Sequence, residues 1–199
     1  EASVGLGSAG NISVNSMGDL RTGAGFGLTM QPLTTLTIED NGSTVDVSTG
    51  MVQDGWLNIK NQGQLIVGNS IDAGLNDWSQ GDLQEAEVEV GGQWRLGINH
   101  NAQLKTARSD IEVASLTAVG YGSTSTLDMR GGTLTTRYLY VGYNVSSSGV
   151  LILSVDGIFH PWVGFTDSSD AFVVGYAGVG GVTQLNGTVT RANSDVAHP

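Results

Sequence analysis

Cysteine is absent from the 199 residues, which rules out a disulfide scaffold, thiol chemistry and thiolate-held zinc. Basic residues are scarce as well. Eight Lys and Arg stand against 19 Asp and Glu, a formal net charge of −11, and Lys60 and Lys105 are the only lysines. Such a balance leaves no electrostatic footprint for phosphate backbones, so nucleic acid is not expected as a partner. An anionic membrane surface is disfavoured for the same reason. No apolar run approaches the roughly 18 residues that a spanning helix needs, so membrane insertion is not expected either. No segment sustains a 3.6-residue apolar period. With 39% apolar residues the chain can still build a core and does not read as a disordered tail. It opens at Glu1 with no recognisable signal peptide, as in a mature protein or a piece of a larger one.

Glycine is what the chain has in excess: 30 residues, about twice the usual share of roughly 7%. Several belong to a recurring apolar-Gly signal: Val67-Gly68-Asn69, Leu96-Gly97-Ile98, Val119-Gly120-Tyr121, Val141-Gly142-Tyr143 and Val174-Gly175-Tyr176. The intervals between the apolar residues are 29, 23, 22 and 33 residues. A second signal lies between them, an alternating pair followed by a Gly turn and another apolar residue. Its copies are Leu36-Thr37-Ile38 with Gly42 and Val45, and Leu57-Asn58-Ile59 with Gly63 and Leu65. Val88-Glu89-Val90 with Gly91, Gly92 and Trp94, and Leu127-Asp128-Met129 with Gly131, Gly132 and Leu134, read as two more.

Period-two alternation broken by glycine turns describes short strands with one buried face. A unit of about 22 residues holding two or three such strands is a solenoid coil, whose apolar face is completed only by stacking on its neighbours. A β-sandwich also has many short strands, but it gives no reason for Val-Gly-Tyr to return at coil spacing. The expected fold is all-β, a parallel right-handed β-helix or solenoid. Val67, Leu96, Val119, Val141 and Val174 should line one interior column, with coils about 4.8 Å apart. Residues 1–191 then form a single solenoid domain, with 1–30 as a cap or first coil and 192–199 as a tail or linker stub. The longer intervals mark insertions at Ile71 to Glu87 and around Phe165 to Ala171. Insertions in repeat proteins gather as loops on one face, often the binding face.

The run Gly131-Gly132-Thr133-Leu134-Thr135-Thr136, followed by Leu139-Tyr140-Val141-Gly142-Tyr143-Asn144, resembles the β-strand repeats of autotransporter passengers. Similar repeats occur in large secreted bacterial surface and polysaccharide-active proteins. The likeness covers about residues 36–190, with one good copy and several degenerate ones. It implies a parallel β-helix in a bacterial protein that is secreted or held at the cell surface. The chain is also similar, at the level of fold, to β-helical xylan-binding carbohydrate-binding modules.

Catalysis finds little support in the residues. Lyases acting on uronic acids need a cationic site, and only Lys105 and Arg108 lie close together among the basic residues. Hydrolysis needs two carboxylates about 5 to 10 Å apart. Glu85, Glu87 and Glu89 have strand spacing, but Glu87 and Glu89 flank Val88 as the solvated face of one strand. His100, His160 and His198 are isolated, so no transition-metal set is expected. No cofactor is implied; calcium is the one ion the loops allow, because hard oxygen ligands suffice. Its weak candidates are Asp72, Asp77 and Asp82 in one stretch and Asp167 and Asp170 in the other, neither with a defined calcium-loop spacing.

The aromatic residues carry more information. Trp56 stands in antiphase to Leu57 and Ile59 and should point outward, and Tyr138 and Tyr140 flank Leu139 in the same way. Trp78 lies among Asp and Asn. Trp94 occupies the slot of Leu65 and Leu134 and is expected in the core; Phe159 matches that slot too, and Trp162 takes no assigned side. Tyr121, Tyr143 and Tyr176 occupy equivalent positions and should stack as a structural ladder. Outward aromatics suit the apolar C–H face of a pyranose ring, with its hydroxyls held at the edge by carboxylates and amides. The expected function is a non-catalytic carbohydrate-binding module for a neutral plant polysaccharide such as xylan. Trp78 is the leading platform, Asn76 and Asp77 are hydroxyl partners, Trp56 extends the surface, and Tyr138 and Tyr140 offer another subsite. The further partner is a catalytic domain, a secreted glycoside hydrolase, in the same polypeptide. An adhesin or surface-protein segment is the alternative, and a polysaccharide-active enzyme the third reading.

Overall fold

Short runs such as Trp56-Leu57-Asn58-Ile59-Lys60 alternate polar and apolar residues, and each becomes a strand with its apolar members inside. The computed structural model describes residues 2–4, 10–154, 161–165 and 171–191, and every regular element among them is a β-strand. Three strands make a coil. In one coil they are Met51–Gln53, Trp56–Lys60 and Gln64–Val67; in the next, Ile71–Ala73, Ser79–Gln84 and Glu87–Val90. Each strand pairs in parallel with its equivalent one coil away: Met51 with Ile71, Leu57 with Gly81, and Val67 with Val90. The second strands of successive coils stack into an 8-stranded sheet. First and third strands share a 14-stranded sheet, because Ser109–Val119 and Gly132–Val141 each run from the third strand of one coil into the first of the next. A register irregularity between Val113 and Leu116 marks the bend. The fold is a parallel β-solenoid, as the repeat spacing predicts.

Its core is a set of columns running along the axis. Val45, Leu65, Val88, Ile111, Leu134 and Val163 stack in register on the third strands, all of them buried. Leu36, Leu57, Leu104 and Leu127 do the same on the second strands, with Gly81 taking the rung between Leu57 and Leu104. No coil could hide these residues alone, so burial of each rung depends on the coils above and below. Trp94 is 1% exposed and sits in the first-strand column between Ile71 and Thr117.

Three sequence expectations need correction. Leu96, Val119, Val141 and Val174 do share one column, but Val67 lies in another, between Val47 and Val90. Val174 is in register yet 44% exposed, because no strand stacks beyond it among the described residues. Val88-Glu89-Val90 is a third strand rather than a copy of Leu57-Asn58-Ile59, so Trp94 reaches the core in a different column from Leu65 and Leu134. Finally, Ile71 to Glu87 is no insertion. Val67 to Val90 is one ordinary coil, and the rest of the 29-residue interval is the step from a third strand to the next first strand. The 33-residue interval does hold extra chain, between Leu153 and Pro161 and between Phe165 and Ala171. Residues 155–160, 166–170 and 192–199 lie outside the described residues, and with them Phe159, His160, Asp167, Asp170, His198 and the tail.

From Val67 onward, first strands and two of the third strands end in an apolar residue followed by glycine, as at Leu96-Gly97, Val119-Gly120, Val67-Gly68 and Val90-Gly91, and the closeness of the next coil explains why. Gly120 turns the corner after Val119 at φ 73°, and a Cβ there would lie 2.6 Å from both Gly149 N and Ser148 C. Gly25, at φ 80°, has nothing within 4 Å of the same position. The two glycines therefore separate backbone strain from crowding. Gly25→Ala should lower stability only by the left-handed penalty, about 1–2 kcal/mol. Gly120→Ala should lose at least about 1 kcal/mol more through overpacking. Urea unfolding of the two variants measures the difference, and equal losses would show that the coils can part to admit a methyl group.

Candidate functional site

One corner of the solenoid, between first and second strands, collects the exposed tryptophans. In the coil of Trp56 this corner is only Asp54-Gly55; in the next it lengthens to Gly74-Leu75-Asn76-Asp77-Trp78. Asp54, 2% exposed, holds the longer corner across the coil boundary. Its Oδ1 accepts the backbone N–H groups of Leu75 and Asn76 at 2.8 and 3.0 Å, and its Oδ2 accepts Asn76 Nδ2 at 2.7 Å. Asp77 Oδ1 accepts the Trp78 N–H at 2.8 Å, fixing the last turn before the strand. Trp56 opens its own strand in antiphase to the buried Leu57 and Ile59. The two indoles meet with centroids 6.0 Å apart and planes at 57°, and they remain 46% and 41% exposed. Asn76 and Asp77 lie beside them, but part of their hydrogen-bonding capacity is already used in building the corner.

Farther along the same corner, all five tyrosines of the chain gather. Tyr121 and Tyr143 stack with centroids 4.9 Å apart and planes at 10°, and Tyr176 continues the stack 5.5 Å from Tyr143. Tyr140 meets Tyr143 and Tyr176 edge-on at 5.1 and 5.3 Å. Tyr138 is 6.5 Å from Tyr140, and the Arg137 guanidinium lies 5.4 Å from the centre of the Tyr138 ring. Tyr121 receives Arg95 at 5.3 Å, and Arg95 makes a bidentate pair with Asp72, both bonds 2.7 Å. Burial works against the Arg95 charge, but Asp72 and the Tyr121 hydroxyl outweigh it and hold the guanidinium above its ordinary pKa. Burial, with Tyr121, Tyr140 and Tyr176 close by, pushes the Tyr143 phenol up as well. Tyr138 and Tyr140 thus sit within a packed aromatic wall, while the Trp56–Trp78 pair is the more open platform.

No family model, curated protein or solved structure matches this chain. The likeness to secreted β-helix repeats accordingly extends to the fold alone, and the site must be judged on its own chemistry.

The calcium candidates do not converge. Asp72 is paired with Arg95, Asp77 caps Trp78, and Asp82 lies on an outer strand face within 3.2 Å of Gln84 Nε2. Among the described residues no group of three His, Cys, Asp or Glu side chains is arranged to hold a metal. The structure does bring together carboxylates that the sequence left apart. Glu87 stands in register with Asp110, and Glu89 with Glu112, on the outer face of the third strands. The one-coil offset of 23 residues that joins Asp72 to Arg95 also predicts these pairs. A shallow depression of about 470 Å³ beside them is lined by Asn41, Gln62, Glu85, Glu87, Arg108 and Asp110, and the Arg108–Glu85 ion pair at 2.8 Å forms part of its wall. It lies on a different wall from the tryptophans. Trp162, left without a side by the sequence, faces outward on the same wall as the carboxylates, its ring folded over Gly164.

Two tests follow from these arrangements. Asp54→Ala strands three donors at the tryptophan corner and should lower stability by about 3 kcal/mol in urea unfolding, with a red shift of the tryptophan emission. Unchanged stability would mean that the corner holds without the carboxylate. The raised Tyr143 value predicts a pH effect of definite sign. The neutral phenol is favoured in the fold, so this contribution is intact below the ordinary tyrosine value of about 10 and is lost as pH rises through the higher folded value. Ultraviolet titration should show a phenol transition above the ordinary range that disappears in Tyr143→Phe.

Proposed function

We propose that the chain is a non-catalytic carbohydrate-binding module for a neutral polysaccharide, with Trp56 and Trp78 as its stacking platform. The observation that carries this reading is the exposed indole pair, 6.0 Å between centroids, one ring at the start of a strand and the other at a corner held by the buried Asp54. Indole faces stack on the C–H face of a pyranose, while Asp77 and Asn76 at the rim bind hydroxyls with whatever capacity the corner leaves free. A platform needs no deep cavity, because a polysaccharide strand is gripped along its length rather than enclosed. The net charge of −11 disfavours uronic acid polymers and favours neutral chains, of which xylan is the leading candidate. A secreted bacterial glycoside hydrolase domain in the same polypeptide would gain effective concentration on insoluble substrate from such a module.

Affinity electrophoresis in gels containing xylan, β-glucan or pectin tests this directly. Retardation is expected in a neutral polysaccharide and not in pectin. Trp78→Ala should weaken binding about tenfold or more, a loss of about 1–3 kcal/mol, with the melting temperature nearly unchanged. Retention of full affinity would move the site elsewhere. Retardation by no polysaccharide would favour an adhesin segment, and release of reducing sugar would favour an enzyme.

A further inference from the structure

The tryptophan platform borders the outer face of the 8-stranded sheet, and the rows of that face have a direction. On the 8-stranded sheet, Trp56, Gln80, Gln103 and Thr126 occupy one register position on four successive strands. They alternate with the buried Leu57, Gly81, Leu104 and Leu127, so all four point outward. Two residues farther along each strand, roughly 6.6 Å away, Asp82 and Lys105 stand in a second, parallel row. Within a row, neighbouring side chains are about 4.8 Å apart, the strand spacing of a parallel sheet. Trp78 lies at the corner before Ser79, so the indole pair flanks the first row at Trp56, beyond which the row runs on through Thr35 to Asn11.

We infer that the ligand is an extended, β-1,4-linked chain lying parallel to the solenoid axis along this face, with successive sugars meeting successive coils. This rests on the carbohydrate-binding reading and specifies its ligand and direction. The rise of one sugar in an extended β-1,4 chain is close to the strand spacing, so a chain along the axis stays in step with the rungs. Trp56 and Trp78 stack on the sugars at one end, and the amides of Gln80 and Gln103 and the hydroxyl of Thr126 take hydroxyl groups farther along. A chain laid across the strands would instead leave the face after one short strand. A coiled α-linked glucan could touch the indoles but would curve away from the row within a few units. Opposite charges alternate in the second row, Asp82 beside Lys105, so the face as a whole carries no uniform field that would select a charged chain.

Calorimetric titration of the full chain with β-1,4-xylo-oligosaccharides, from the disaccharide to the hexasaccharide, tests the inference. Affinity should climb with length until the row is covered and then level off, whereas malto-oligosaccharides should gain nothing beyond the disaccharide. Gln103→Ala, at an exposed position two coils from Trp56, should weaken the long oligomers about fivefold and leave the disaccharide unchanged. Trp78→Ala should weaken every length. Binding that depends on Trp78 but does not grow with length, or a Gln103→Ala loss equal at all lengths, overturns the axial ligand and leaves the platform standing. Absence of binding by every oligosaccharide and polysaccharide overturns both. Thr135→Ala, on the outer face of another wall, serves as the control and should change no affinity.

Discussion

Parallel pairing of each strand with its own equivalent one coil later is the constraint on which everything else in this molecule depends. It fixes the strand spacing, and through it the spacing of every side chain that points inward or outward. Inside, that repetition helps: apolar residues fall into columns, and Val45, Leu65, Val88, Ile111, Leu134 and Val163 bury one another with no helix among the described residues to cover them. At the corners it is exacting. The next coil lies so close that Gly120 has no room for a Cβ. Glycine abundance is therefore a consequence of stacking as much as of turning.

Outside, the same register puts similar groups next to one another, and the result depends on their chemistry. Tyrosines gain from it, since the stack of Tyr121, Tyr143 and Tyr176 joins three coils through ring contacts. Carboxylates lose, since Glu87 faces Asp110 and Glu89 faces Glu112 with like charge across one strand spacing. Asp72 avoids that fate because its rung partner is Arg95. With only 8 basic residues the chain cannot compensate every acidic rung, and the third-strand wall carries the repulsion exposed to water, where screening is greatest.

How much of this was legible in the sequence depends on whether a feature is local or crosses between coils. Alternation within a strand is local. It put Trp56 outside and Leu57 inside, and the repeat of Val-Gly-Tyr was enough to expect both the solenoid and the tyrosine stack. Identity of the wall is not local. An apolar residue followed by glycine ends the first strand at Leu96 and the third at Val67 alike, so Val67 was drawn into the wrong column and an ordinary coil looked like an insertion. Trp94 was rightly expected in the core and wrongly matched to Leu65. Asp54 was invisible for a different reason: its partners Leu75 and Asn76 lie one coil on, at a corner whose length changes between the two.

The tryptophan pair depends on how the corner that precedes Trp78 is held. The five residues after Ala73 equal in number the five after Leu96 in the following coil, and the two-residue corner after Gln53 is the short one, which sets Asp54 against the longer corner beside it. A five-residue corner would be a loose loop if unsupported, and a loose platform loses affinity to the entropy of ordering it. Asp54 removes that freedom by accepting two backbone donors and one side-chain amide from inside the corner. The buried carboxylate and the exposed indoles are thus two halves of one device. The first uses hydrogen bonds to fix a backbone that the repeat alone would not specify, and the second presents, on that fixed backbone, a surface already ordered before any ligand arrives.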